Sequence, residues 1–195
     1  ILDDFWFHYV TDIGNAGPDR GKGGKYLILP PGYKGDIPEG YFVKQSNTYG
    51  NWLAVRGFPT GDDNASVVKN IKDHLKIYPL AEKNNPKPVN YYDISNKYLN
   101  TLHAQDITFF HEVNEVVQEE HNDAFSPEVL GMLASIGIEK GKKFNPDARM
   151  QKILSEAAVV GTAAQRSIIW RNRADTVKIW PDSKSWEIGF AGGSH

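Results

Sequence analysis

The 195 residues contain no cysteine, which excludes a disulfide framework, a thiolate metal site and a cysteine nucleophile. Long hydrophobic runs are missing too, so no segment is expected to span a bilayer. There is no excess of positive charge: 22 Lys+Arg face 24 Asp+Glu, for a formal charge of -2. That balance gives no basic field to hold nucleic acid. Residues 62–130 have no glycine, and residues 98–139 have neither Lys nor Arg. The chain opens at Ile1 without an initiator Met or a charged-then-apolar leader, and it closes on Ala191-Gly192-Gly193-Ser194-His195. Those ends are read as belonging to an internal or processed piece. What is present is ordinary: 40% hydrophobic and 24% charged residues exclude a disordered or fibrous chain.

Glycine and proline divide the sequence. Ten of the 18 glycines and five of the 11 prolines fall in residues 1–60, which marks a turn-rich first third. Strand chemistry recurs there at Phe5–Val10, Tyr26–Leu29, Tyr41–Val43 and Trp52–Arg56. The period then lengthens. Val67, Val68, Ile71 and Leu75 predict a helix from about Asp63, and Ile77-Tyr78 reads as a short strand closed by Pro79. Asn84-Asn85-Pro86-Lys87-Pro88 reads as a linker. After it, Phe109, Phe110, Val113, Val116 and Val117 form a helical stripe with Asp106 as its N-cap. Ser126-Pro127 starts another helix, which Gly137 ends. Asn145-Pro146-Asp147 opens a long run with Met150, Ile153, Leu154, Ala157, Ala164 and Ile168 on one side. Val177–Trp180 and Trp186–Phe190 return to strand chemistry.

Strands, then helices, then strands give an α+β class. The first β region is too small to close on itself, so its edges and one face call for more polypeptide.

Candidate chemistry begins with the loop from Gly14 to Lys25, where Gly14, Gly17, Gly21, Gly23 and Gly24 alternate with Asp12, Asp19, Arg20, Lys22 and Lys25. Glycine amides beside Lys and Arg suit a phosphate or carboxylate. The alternative, and the preferred one, is a structured loop tied by Asp19 and Arg20. The loop is no P-loop, because Gly23 follows Gly21-Lys22. It is no dinucleotide fingerprint either, because Tyr26 takes the third glycine position. No cofactor is therefore expected. Alternation places Trp52 and Arg56 on one strand face, and Trp6, His8 and Val10 on another opposite Phe5, Phe7 and Tyr9. Such rings stack on sugars, while the blander and preferred reading puts them in a sandwich core. His111 and Glu115, one helical turn apart with Glu119 beyond, could share a divalent cation. His111-Glu112-Val113-Asn114-Glu115 differs from the zinc-protease motif at its last position, which needs His, and no metal site is expected. The acidic stretch 98–139 and the basic stretch 142–173 are read as packed neighbours of complementary charge.

The string Trp6-Phe7-His8-Tyr9-Val10-Thr11-Asp12-Ile13-Gly14, continued by Gly17-Pro18-Asp19-Arg20-Gly21-Lys22-Gly23-Gly24-Lys25-Tyr26-Leu27-Ile28-Leu29-Pro30-Pro31-Gly32-Tyr33, resembles a bacterial two-domain family of unknown function. Its N- and C-terminal parts are numbered 1254 and 1214 among domains of unknown function. The likeness runs on through Leu75–Leu80, Asp106–Phe110 and Phe144–Met150 to Phe190–Ser194. His111 and His121 depart from it, standing where a carboxylate and a proline are expected. The resemblance implies part of a jelly-roll β-sandwich over 1–80, a helical segment over 81–175, and the start of a second β-sandwich over 176–195. On that footing the rest of the same protein, or another copy, supplies the missing strands. A secreted or periplasmic location is implied as well.

Resemblance and aromatic strands together give the functional expectation: a sheet face that binds or hydrolyses a carbohydrate or glycoconjugate. Trp6, Lys25, Tyr49, Trp52 and Arg56 are the candidate ligand contacts. In a hydrolase, Asp12 or Asp19 would be the catalytic carboxylate and Arg20 would orient the substrate. The alternative is a non-enzymatic assembly module whose open sheet edges pair with another chain or with the rest of the protein.

Overall fold

The computed structural model describes residues 1–59, 61 and 63–170, with the backbone alone at 169 and 170. The chain forms two compact units. One comprises Ile1–Ser46 and Gly50–Thr101; the other comprises Asn47–Tyr49 and the chain from Leu102 onward. The class is α+β, as expected.

In the first unit, strands β1 (Leu2–Asp4), β2 (Tyr9–Thr11) and β5 (Asn51–Leu53) make an antiparallel sheet in the order β2-β1-β5. Leu2 stands opposite both Thr11 and Leu53, and Asp3 opposite Tyr9 and Trp52. Strands β3 (Tyr26–Leu29) and β4 (Phe42–Gln45) form a parallel pair in which Leu27 faces Val43. Alternation along β3 buries Leu27 and Leu29. The continuous strand expected over Phe5–Val10 is corrected. A turn interrupts it, with the Phe7 amide donating to the Asp4 carbonyl at 3.0 Å and the Asp4 amide to the His8 carbonyl at 2.9 Å. The reason is local: the Asp4 carboxylate accepts the amides of Trp6 and His8 and so fixes the turn.

Helix α1 (Asn64–His74) begins as the sequence indicates, the Asp63 carboxylate accepting the Ser66 amide at 3.0 Å. Ile77-Tyr78 is not a strand among the described residues, because no neighbouring strand pairs with it. A 3-10 turn at Leu80–Glu82 follows, and residues 86–107 hold neither helix nor strand. The division between the units falls inside that stretch, after Thr101.

The second unit is helical and has a contiguous apolar centre. Helices α2 (Thr108–Glu119), α3 (Pro127–Ser135) and α4 (Ala148–Trp170) surround buried Val117, Phe125, Ile138, Phe144 and Leu154. Each start carries its own chemistry. The expected N-cap Asp106 is corrected by one residue: Ile107 holds that position without a side-chain cap bond, and Asp106 just before it accepts the Thr108 amide. The Ser126 hydroxyl accepts the Val129 amide, and the Asp147 carboxylate accepts the Met150 amide. α3 ends with Gly137 at φ +87. The Gly137 amide donates to the Ala134 carbonyl and that of Ile138 to the Leu133 carbonyl, the paired closure that glycine permits. Along α4 the expected stripe is corrected: Leu154 and Ala158 are buried, whereas Ile153 and Ile168 are exposed. The strands expected at Val177–Trp180 and Trp186–Phe190, and the second sandwich from residue 176, lie outside the described residues.

Candidate functional site

The glycine loop organises itself around a carboxylate. Asp19 is buried, and its Oδ1 accepts the Gly14 amide at 2.8 Å and the Tyr26 hydroxyl at 2.5 Å. Its Oδ2 accepts the Gly23 amide at 3.1 Å. The Tyr26 hydroxyl, seconded by the two amides, holds the Asp19 carboxyl below its ordinary value against the opposing effect of burial. Burial, reinforced by Asp19, raises the Tyr26 hydroxyl correspondingly. Gly17 is required for contact reasons, since a Cβ there would meet the Asp12 carbonyl oxygen at 2.5 Å and the Tyr26 hydroxyl at 2.9 Å. The amides that could have cradled an external phosphate thus already serve an internal anion. This geometry carries the structured-loop reading, and it leaves Asp19 engaged as an anchor. Arg20 stands at φ 49, exposed, and Lys25 is exposed at the loop's exit.

Asp12 follows β2. Its amide donates to the Tyr9 hydroxyl at 3.1 Å, and that hydroxyl donates to the Asp12 carboxylate at 3.4 Å.

A second cluster centres on the tip of the β1–β2 hairpin. Asp4 is 1% exposed. Its Oδ1 accepts the amides of Trp6 (2.8 Å) and His8 (2.9 Å), and its Oδ2 lies 3.2 Å from Nδ1 of His8. One carboxylate therefore fixes both the turn and the imidazole, whose own side chain is 73% exposed. The tip presents Phe5 and Trp6 edge to face at 5.9 Å, and Phe7 packs against Trp52 at 6.1 Å between ring centroids. Phe7 is 69% exposed and Trp52 57%. The core placement preferred for these rings is therefore corrected: the turn directs them outward. Phe7 also has φ 60, a left-handed conformation that suits glycine and costs a bulky residue roughly 1–3 kcal/mol.

Among the sequence-designated residues, the structure brings Trp6 and Trp52 to this sheet. Arg56 lies exposed three residues beyond β5. Tyr49 belongs to the second unit, where its amide donates to Glu120 Oε2 at 2.7 Å and its ring meets that of His121 at 6.1 Å. His111 packs against Phe144 at 5.1 Å between ring centroids. Sequence reasoning placed His8 on a strand face with Trp6 but missed Asp4 and the pairing of the two. Their signal is an aspartate four residues before a histidine with aromatics between, a spacing that also suits a strand.

Between the acidic and basic stretches the described residues show the Lys142–Glu139 ion pair at 2.7 Å, while Lys140, lying between them, serves the end of α2. Lys140 Nζ donates to the carbonyls of Val117, Gln118 and Glu120 at the end of α2, at 3.2, 2.9 and 2.5 Å. It thereby satisfies acceptors that the helix end leaves open.

Comparison with known proteins adds the following. Residues 1–79 match a family described as "Protein of unknown function (DUF1254)". The fold is similar to the crystal structure of the VPA0106 protein from Vibrio parahaemolyticus, at 21% identity and a TM-score of 0.53. The match covers 90% of this chain and 43% of that protein, so the chain spans less than half the length of its structural relative. None of the curated proteins compared matches the chain.

Proposed function

We propose that the first unit is an assembly module: a partial β layer whose aromatic hairpin and strand edges are covered by further strands of a longer polypeptide of its own. The observation that carries this reading is Phe7, an aromatic ring held outward at a backbone position that suits glycine and tilted against exposed Trp52. Fully covering a phenylalanine side chain contributes roughly 1.5–3 kcal/mol, enough to offset a backbone strain of about 1–3 kcal/mol. Two further observations support it. The sheets have three and two short strands, which is marginal for independent stability. The buried hydrophobic side chains of this unit are Leu2, Leu27 and Leu29 among the described residues. The 43% coverage of the structural relative fits an occupant from the same polypeptide rather than a foreign one.

Light scattering after size exclusion tests the proposal. The chain alone is expected to associate beyond 21.9 kDa with rising concentration, and Trp52→Ser to weaken that association. A monodisperse 21.9 kDa particle at every concentration overturns it.

A second reading, that the same surface binds a carbohydrate, is favoured by the Phe7–Trp52 ring pair beside exposed His8. Under it, Trp6, Lys25, Trp52 and Arg56 are the candidate contacts of the first unit, and Tyr49 is a candidate of the second. Of the proposed hydrolytic residues, Asp12 and Arg20 are the better placed, because Asp19 has both oxygens engaged. Glycan-array binding decides it: loss of signal in Trp52→Ala supports this reading, and equal binding by Trp52→Ala and Asp19→Ala removes those residues from the site.

A further inference from the structure

Past the end of α1 the chain folds back on the helix. The Tyr91 hydroxyl is shared between the carbonyl oxygens of Leu75, at 3.0 Å, and Ile71, at 3.4 Å. This anchoring opens a groove of about 370 Å³ between the helix end and the segment from Pro86 to Tyr91. Lys72, Lys76 and Lys87 line it, with Leu75, Pro88 and Tyr91 among its apolar walls, and no carboxylate does. The acids nearby stand outside the lining. Glu82 holds Lys87 at 3.1 Å, and Asp93 is held below its ordinary value chiefly by its hydrogen bonds with Ser95 and least by the charge of Lys72. Lys76 makes no ion pair among the described residues. Complementing the helix dipole accounts for Lys72 in the last turn, but Lys76 and Lys87 lie outside the helix. Glu82 already answers the charge of Lys87, whereas Lys76 has no ion-pair partner among the described residues, and the lining itself stays cationic.

We infer that this groove is a binding site for a phosphate monoester of a ring-sized organic molecule, the three lysines holding the phosphate and the Leu75–Pro88–Tyr91 walls holding the ring. The double charge suits a lining of three lysines of which one is already paired with Glu82, since a phosphate monoester carries about −1.5 to −2 at neutral pH and lysine binds it as a point charge. The volume lies at the lower end of the ~300–1,000 Å³ range of small-molecule sites, enough for one ring and its phosphate.

The test is an NMR titration of the full chain with phenyl phosphate, benzoate, phenol and inorganic phosphate. Phenyl phosphate is expected to saturate the amide signals of Leu75, Lys76, Lys87 and Tyr91, with an affinity at least tenfold above each of the other three. The double variant Lys76→Gln/Lys87→Gln is expected to weaken it at least tenfold, and Lys83→Gln, outside the lining, to leave it unchanged. Should the double variant not fold, Lys76→Gln alone serves, with a several-fold loss expected. Equal binding of inorganic phosphate or benzoate, shifts scattered over lysines elsewhere, or variant binding equal to that of the unaltered chain overturns the inference.

Discussion

The two units are held together by different chemistry. In the second, Val117, Phe125, Ile138, Phe144 and Leu154 touch one another, and the polar groups serve as caps around them. In the first, the buried side chains include Asp4, Thr11, Asp19 and Ser46 beside only three hydrophobic ones among the described residues. Asp4 and Asp19 each collect three hydrogen bonds and so fix a turn and a loop. A carboxylate fixes geometry precisely where it is bonded, but it contributes little apolar burial, and net hydrogen-bond stabilisation is modest. The first unit is accordingly ordered in detail and thin in cohesion. That combination is expected of a layer designed to be covered.

Four changes probe the contrast. The largest effect belongs to the apolar centre: Leu154→Ala removes a 2%-exposed side chain from the contiguous cluster and should cost about 2–5 kcal/mol in chemical denaturation followed by a probe of the second unit. An effect under about 1 kcal/mol would show that the cluster is not the source of cohesion. Next comes Lys140→Met, which strips three carbonyls of their charged donor. Roughly 1.5–3 kcal/mol is expected, by the usual worth of a charged hydrogen bond, again read at the second unit.

Acid should then separate the units. Asp19 is held below its ordinary value, so its contribution is fully present above about 3.8 and is lost as pH falls through its lower folded value. Amide exchange at Gly14 and Gly23 should accelerate in that window, while Val117 and Ile138 stay protected. Asp106 and Glu128 are lowered too, by Thr108 for the first and by Glu128's own amide and Ser126 for the second. Those groups serve helix starts, so their protonation frays ends and leaves the cluster in place. The smallest effect is Phe7→Gly, which relieves the left-handed strain at φ 60. A gain of about 1 kcal/mol is expected in the isolated chain, together with weaker self-association. Unchanged association would detach the ring from the proposed contact.

What the sequence made legible follows the same divide. Asp63, Ser126, Gly137 and Asp147 were readable as helix boundaries because a cap is a matter of a few neighbouring residues, and the structure places each at its helix end. The strand expected through Phe5–Val10 failed for the opposite reason. Nothing in the period of those residues announces that Asp4 will gather the turn amides, or that Phe7 will take a conformation glycine normally takes. Tertiary pairing also decided against Ile77-Tyr78, which has strand composition and no partner strand among the described residues. In α4, apolar spacing located the helix but not which stripe faces inward, and Ala158 was found buried in place of Ile153. For the loop, the residue types pointed to anion chemistry, and the anion proved to be Asp19 of the chain itself.

Residue-resolved amide hydrogen exchange on the chain by itself bears most directly on whether its opening layer stands alone. If that layer needs covering, amides of β1, β2 and β5 exchange about a hundredfold or more faster than those of Val117, Ile138 and Leu154. Equal protection across both units would mean that the first is already sufficient, and that no further strands are required to complete it.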